Sequence, residues 1–251
     1  AIPLWRRRNF RLRTGVALFL LVVSAASVFQ RGIDRLCEGR TALYFPRAGR
    51  ADAAVLRGGG RTILIDCASE PSPGRIGAAE RSLVKLGVKR IDALFLTHAH
   101  PDHTGGFRGL AERWEIGTVY LSRSGDKPHR WREVLSAKKE RTGVVFLSME
   151  DTLSIGPFHF RVLGPEEDRE GSDCGENARS LQLQVRWHSF SALFTGDAPW
   201  QQVIASMERM SRLDLLKVPH HGSKVGFPPP ELKANVSRLR RAGRIYAVFP
   251  S

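Results

Sequence analysis

Short apolar and β-branched runs that end in turn formers recur along most of the chain. They lie at residues 53–56, 62–65, 93–96, 118–121, 144–147, 158–163, 181–187, 191–194, 215–218 and 245–249. Runs of this length bounded by Gly, Pro, Asn, Asp or Ser predict strands. Apolar positions three and four residues apart predict helices over 78–86, 107–114, 130–141, 201–209 and 231–241. Strands come first and then mix with helices, which points to an α+β domain of packed sheets with helices outside rather than to a repeated βαβ unit.

The start of the chain has a different pattern. Residues 14–30 are an uncharged run of 17 residues preceded by Arg6, Arg7, Arg8, Arg11 and Arg13. As a helix this run covers about 25 Å of a hydrocarbon layer of about 30 Å, short but enough to span. The arginines predict a cytoplasmic N-terminus, with the rest of the chain facing outward in the cell membrane. A secretory signal has the same basic and apolar regions, and Ser24, Ala25 and Ala26 are small enough for a cleavage site, so both readings stand. Residues 1–30 are thus read as a membrane or signal-like segment. Residues 40–251, with no further long apolar run and no repeat, are read as one domain.

A chain of 251 residues with 42% hydrophobic and 25% charged positions excludes disordered, collagenous and disulfide-scaffold classes. Its net charge is +14. Without the first 13 residues, 34 basic against 25 acidic side chains still leave +9, a balance that favours an anionic partner such as nucleic acid or phospholipid. Cys37, Cys67 and Cys174 form no metal-binding pair, and packing explains Cys67 best. At their spacings Trp114, Trp131, Trp187 and Trp200 suit packing better than base stacking, and His129, His159 and His188 have no neighbouring ligand type.

The chemistry concentrates at residues 94–106, LFLTHAHPDHTGG, where three of the eight histidines and an aspartate occupy six positions. Alternate residues of an extended chain face the same way. His98 and His100 can therefore bind one ion while the turn that follows presents Asp102 and His103 to a second. Mixed nitrogen and oxygen donors suit Zn²⁺, Mn²⁺ or iron. ILID (63–66), ALFTGD (192–197) and LLKVPHHG (215–222) repeat the pattern of a strand running into an acid or histidine.

Together these motifs resemble the metallo-β-lactamase fold superfamily, whose HxHxDH motif reads His98, His100, Asp102, His103 here, and within it the soluble domain of the ComEC family of competence DNA-uptake channels. The resemblance implies an αββα sandwich and two divalent ions, Mn²⁺ or Zn²⁺. His98 and His100 would ligate the first ion, Asp102 and His103 the second, with Asp197 bridging and His221 completing the second site. Asp102 and Asp197 would then be the catalytic acids. His221, directly before the glycine, is preferred to His220, which becomes a neighbour or substrate contact along with Ser223 and Lys224. Asp66 would orient ligands rather than bind metal.

The chain departs from that family in three places. An FLDVGQGDA-like segment reads FPRAGRADA, with Arg47, Arg50 and Ala51 replacing the acid, glutamine and glycine while Gly49 and Asp52 remain. A histidine often found before a Ser-containing strand is absent from residues 176–180, where Asn177 offers an amide oxygen, a change that favours Mn²⁺ over Zn²⁺. The family commonly continues past residue 251 through a further turn and helix, so the domain is expected to be either trimmed or natively short.

The implied activity is metal-dependent phosphodiester hydrolysis of incoming DNA, one strand being degraded beside a membrane channel portion of the same full-length protein, in company with other competence proteins. The resemblance implies single-stranded DNA as the partner, and the abundance of Lys and Arg suits a polyanion, since neutralised phosphates release counterions. Two readings compete with it. One is a hydrolase of small phosphodiesters, thioesters or β-lactams; the other is a non-catalytic DNA-binding or channel-gating module.

Overall fold

The computed structural model describes residues 41–49, 51–68, 76–123, 128–166, 175–222, 229–240 and 244–249. Among them no helix is long and apolar enough to cross a membrane. The proposed span at 14–30, the preceding arginines, Cys37, Arg50, Cys174, Ser223 and Lys224 lie outside the described residues.

Among the described residues, twelve strands form two six-stranded sheets. The first holds β1 (Ala42–Tyr44), β2 (Ala53–Gly58), β3 (Arg61–Cys67), β4 (Arg90–Leu96), β5 (Glu115–Ser122) and β6 (Gly143–Leu147), in that order. The second runs β12 (Tyr246–Val248), β11 (Leu215–Lys217), β10 (Phe190–Phe194), β9 (Gln182–Trp187), β8 (Phe158–Gly164), β7 (Thr152–Ile155). Each sheet begins as an antiparallel meander and ends with parallel strands, β3 to β6 in one and β10 to β12 in the other.

Period-two alternation sends neighbouring side chains into different cores. Ile63, Ile65, Ala93 and Phe95 meet Phe160, Leu183 and Phe194 of the second sheet, with the Phe95 and Phe160 ring centroids 4.6 Å apart. The intervening Leu64, Leu94 and Leu96 face Leu83 of α1 (Ala78–Lys85), Leu110 of α3 (Phe107–Arg113) and Val134 of α4 (Arg132–Ala137). On the far side Leu193 and Leu216 pack against Val203 and Met207 of α5 (Trp200–Glu208) and Leu239 of α6 (Glu231–Leu239). Helices thus cover the outer face of each sheet, giving the mixed α/β layering expected.

Three local differences have physical causes. β1 and β7 escape the run criterion because they are short edge strands with half-exposed side chains. The four-residue α2 (Pro101–Thr104) starts on Pro101, which suits a first helical turn. The helix expected over 130–141 is shorter, because nothing apolar follows Ala137 to hold its last turn and Lys138 is already extended. Trp114 and Trp131 are buried, and Trp187 stacks near Phe190, so these rings are packing residues here.

Candidate metal centre

Strand polarity gathers the chemistry at one edge. β3 and β4 are parallel and end in Asp66 and Thr97–His98, while β10 and β11 are parallel and lead to Asp197 and to the turn carrying His220 and His221. β2 runs antiparallel to β3, with Ala53 paired to Cys67, so Asp52 enters at the same edge. Sites outside the carboxyl ends of parallel strands are the usual place for ligands in such sheets.

Two glycines permit the approach. A Cβ on Gly106 would overlap the Cys67 carbonyl oxygen, so only glycine lets the start of α3 lie against the end of β3. Gly196 has φ +53°, and a Cβ there would lie 2.9 Å from the Thr97 Cβ. Asp66, His220 and His221 take the same left-handed conformation at φ 56°, 50° and 53°, a strain of the kind that collects at functional sites.

Asp52, His103, Asp197 and His221 bring one donor atom each to within 4.8 Å of one another. All but His221 are buried. His103 Nε2 is 3.3 Å from Asp197 Oδ1, His221 Nε2 is 3.7 Å from Asp197 Oδ2, and His221 Nδ1 is 3.5 Å from Asp52 Oδ1. Asp52 Oδ1, His103 Nε2 and His221 Nδ1 are buried without a hydrogen-bond partner among the described residues, while Asp52 Oδ2 is paired with Lys217. Buried polar atoms left in that condition are costly, and two carboxylates with two imidazoles are a donor set that a divalent ion satisfies. The residues present therefore fit a divalent metal.

His103 is held from behind. Its Nδ1 lies 2.8 Å from Asp66 Oδ2, and Asp66 Oδ1 accepts the Thr97 backbone N–H at 2.8 Å. Asp66 thus bridges His103 Nδ1 and the Thr97 backbone on the side away from the four donors. His98 is fully buried, with Nε2 3.1 Å from His100 Nδ1, and its ring centroid is 4.1 Å from that of His103. His98 and His100 are thus adjacent to the four-donor group but outside it. Asp102, in the first turn of α2 and partly exposed, contributes Oδ2 to His221 Nε2 at 3.1 Å. Asp52, the aspartate retained in FPRAGRADA, joins His103, Asp197 and His221 in the four-donor group, and Asp102 borders that group through His221. Asn177 Nδ2 lies 3.0 Å from His220 Nδ1, and its Oδ1 is buried without a hydrogen-bond partner. His220 is the more exposed of the histidine pair and also donates its backbone N–H to Asp197 Oδ1 at 3.2 Å.

Lys217, also missed in the sequence, is buried at the end of β11. Its ammonium donates to the Gly196 carbonyl at 2.8 Å, pairs closely with Asp52 Oδ2 and lies 3.6 Å from Asp197 Oδ1.

The charges are strongly coupled. Burial works against the His103 imidazolium, but Asp66, Asp197 and Asp52 together raise it to about 10. The bond to Asp102, then that to Asp52, raises His221 to about 9, and reciprocally His221 lowers Asp102 to about 2. Burial disfavours the Asp52 and Asp197 carboxylates, yet Lys217 and the histidines hold both below the usual carboxylate range. His98 is pushed well down by burial and by neighbouring His103. Without metal, protons on His103 and His221 provide the positive charge that the acids require.

The family profile described as "Metallo-beta-lactamase superfamily" matches residues 46–227, the stretch that carries every donor named above. The chain belongs to the metallo-β-lactamase superfamily. Members of this superfamily are generally metal-dependent hydrolases, often with two divalent ions. The chain is 28% identical over 219 residues to ComE operon protein 3 of Bacillus subtilis (strain 168), covering 82% of this chain and 27% of that protein. It is 36% identical over 72 residues to Ribonuclease TTHA0252 of Thermus thermophilus, covering 29% of this chain and 16% of that protein. The chain thus spans under a third of the length of either relative. A solved protein of unknown function from Enterococcus faecalis V583 shares the fold, with a TM-score of 0.50 at 15% identity, over 75% of this chain and 51% of that one.

Proposed function

We propose that this chain is a metal-dependent phosphodiesterase acting on DNA during uptake, with single-stranded DNA as its substrate. The observation that carries the reading is the convergence of Asp52, His103, Asp197 and His221 donor atoms within 4.8 Å at the carboxyl edge of both sheets. Asp52, His103, Asp197 and His221 would hold a divalent ion there, which would supply an activated water and charge neutralisation at the phosphoryl oxygens. The residues behind it do the positioning. Asp66 fixes His103, Lys217 fixes Asp52 and Asp197, and Asp102 steadies His221 from the solvent side.

Similarity to ComE operon protein 3 and to a ribonuclease supports a nucleic-acid substrate, and the net charge of +14 favours a polyanion. In this reading the N-terminal basic and apolar segment places the domain on the outer face of the cell membrane, beside a channel portion of the full-length protein and within reach of other competence proteins. Mn²⁺ and Zn²⁺ are the ions proposed, two per chain, the second near His98 and His100.

The test is cleavage of labelled single- and double-stranded DNA by the purified chain with Mn²⁺ or Zn²⁺, beside Asp102→Ala and His103→Ala. Metal-dependent cutting of the single strand, lost in His103→Ala and weakened in Asp102→Ala, is the expected result. Equal cutting by wild type and both variants would overturn the proposal.

A further inference from the structure

The segment that leads into β9 reaches three of the loops at the metal centre. Leu181 donates its backbone N–H to the Thr97 carbonyl at 2.8 Å, and Ser180 Oγ accepts the Asp197 N–H at 3.1 Å. Asn177, one residue past Glu176, meets His220. Glu176 itself reaches across to the end of the first sheet. Its Oε1 accepts the Ala99 N–H at 3.2 Å, from 77 positions away in the chain, and its Oε2 pairs closely with Arg130 Nη1.

Ala99 is the residue between His98 and His100. Those two rings stand outside the four-donor group, yet their facing nitrogens are 3.1 Å apart. Two nitrogens bound to one ion at about 2.0–2.1 Å lie about 3 Å from each other, so the pair already has ligand spacing. That spacing depends on the backbone joining the two rings. β4 ends at Leu96 and α2 begins at Pro101, so residues 97–100 belong to no helix or strand that would fix them. A carboxylate on the Ala99 N–H gives this stretch a charge-assisted anchor. The anchor is itself held, because Arg130 comes from the turn Pro128–Trp131, whose Trp131 ring is buried in the core of the first sheet. The Glu176 and Arg130 side chains are 18% and 22% exposed, unlike the solvated surface pairs that contribute little. Among the described residues Glu176 joins no cluster of donor atoms, so it acts on the ligands through the backbone.

We propose that Glu176, held by Arg130, is the positioning residue for an ion at His98 and His100, fixing the turn that keeps the two imidazoles at ligand spacing. This rests on the two-ion reading above. The four-donor ion should be indifferent to Glu176, since Asp66, Lys217 and Asp102 hold that group from other sides.

The test titrates the metal-free full chain with Mn²⁺ by calorimetry, in wild type, Glu176→Ala, Glu176→Gln and Arg130→Met, with thermal melts as the folding control. His100→Ala marks which binding phase belongs to the histidine pair. Two ions are expected in wild type. Glu176→Ala should weaken the histidine-pair ion roughly 10- to 100-fold and leave the other unchanged. Glu176→Gln keeps an oxygen for the Ala99 N–H and should bind that ion more tightly than Glu176→Ala does. Wild-type affinity for both ions in Glu176→Ala, an equal loss of both, or Glu176→Gln as weak as Glu176→Ala overturns the proposal. If Glu176→Ala does not melt like wild type, Arg130→Met decides: weakening of the histidine-pair ion alone supports the proposal, and wild-type affinity for both ions overturns it. No more than one ion in wild type, bound equally by His100→Ala, ends the two-ion reading and the proposal with it. Two ions in wild type with an indifferent Glu176→Ala end the proposal alone.

Discussion

His103 Nδ1 sits 2.8 Å from Asp66 Oδ2, while His103 Nε2 lies 3.3 Å from Asp197 Oδ1. One imidazole thus joins the end of β3 in the first sheet to the end of β10 in the second, and Asp66 decides which nitrogen faces the donors. Asp66→Ala is expected to weaken divalent-ion affinity roughly 10- to 100-fold, as measured by competition with a chelating dye, because the ligand loses its fixed tautomer and orientation. Unchanged affinity in a folded variant would contradict an orienting role.

Lys217 is a buried cation between two buried acids. Replacing it with Met leaves both carboxylates without their partner, and breaking a buried pair in this way costs about 3–5 kcal/mol. Urea denaturation of the metal-free chain should show that loss, and added Mn²⁺ should recover part of it by binding the folded state. A variant as stable as wild type would show that other groups balance Asp52 and Asp197.

Gly106→Ala tests the close approach of α3 to β3. The added methyl meets the Cys67 carbonyl oxygen, a backbone atom that moves only with the strand. The expected loss is about 1–3 kcal/mol in thermal or urea melts.

Metal uptake should be coupled to protons. In the metal-free chain His103 and His221 are raised to about 10 and about 9, above an unfolded value of about 6.5. Their stabilising protonation is fully present below pH of about 6.5 and is lost as the pH rises through about 9–10. Asp102 has the opposite sign: lowered to about 2, it stabilises above its unfolded value of about 3.9 and loses that contribution as the pH falls toward 2. A divalent ion displaces the histidine protons, so Mn²⁺ affinity should rise with pH across the range 6.5–9 and binding should release protons into weak buffer. A pH-independent affinity would contradict the assignment of His103 and His221 as ligands.

Most of the strands were legible because both faces of β3, β4 and β10 are buried, which writes continuous apolar runs such as ILI and ALFL into the sequence. β1 and β7 were not, since an edge strand of three or four half-exposed residues has no run to see. At the site, the HxHxDH spacing exposed His98, His100, Asp102 and His103 at once. Asp52 stayed hidden because it precedes its strand rather than ending one, and only the antiparallel pairing of Ala53 with Cys67 carries it to the same edge. Lys217 read as a strand residue, and no local pattern announces that a lysine will be buried against acids 165 and 20 positions earlier in the chain.

The most direct measurement is the divalent metal content of the purified chain, by elemental analysis after Mn²⁺ or Zn²⁺ loading and desalting, in wild type and in folded His103→Ala and His221→Ala. The account predicts bound metal in wild type and its loss from both variants. Retention of the same metal content in the variants, or no metal in wild type under any loading, would contradict it.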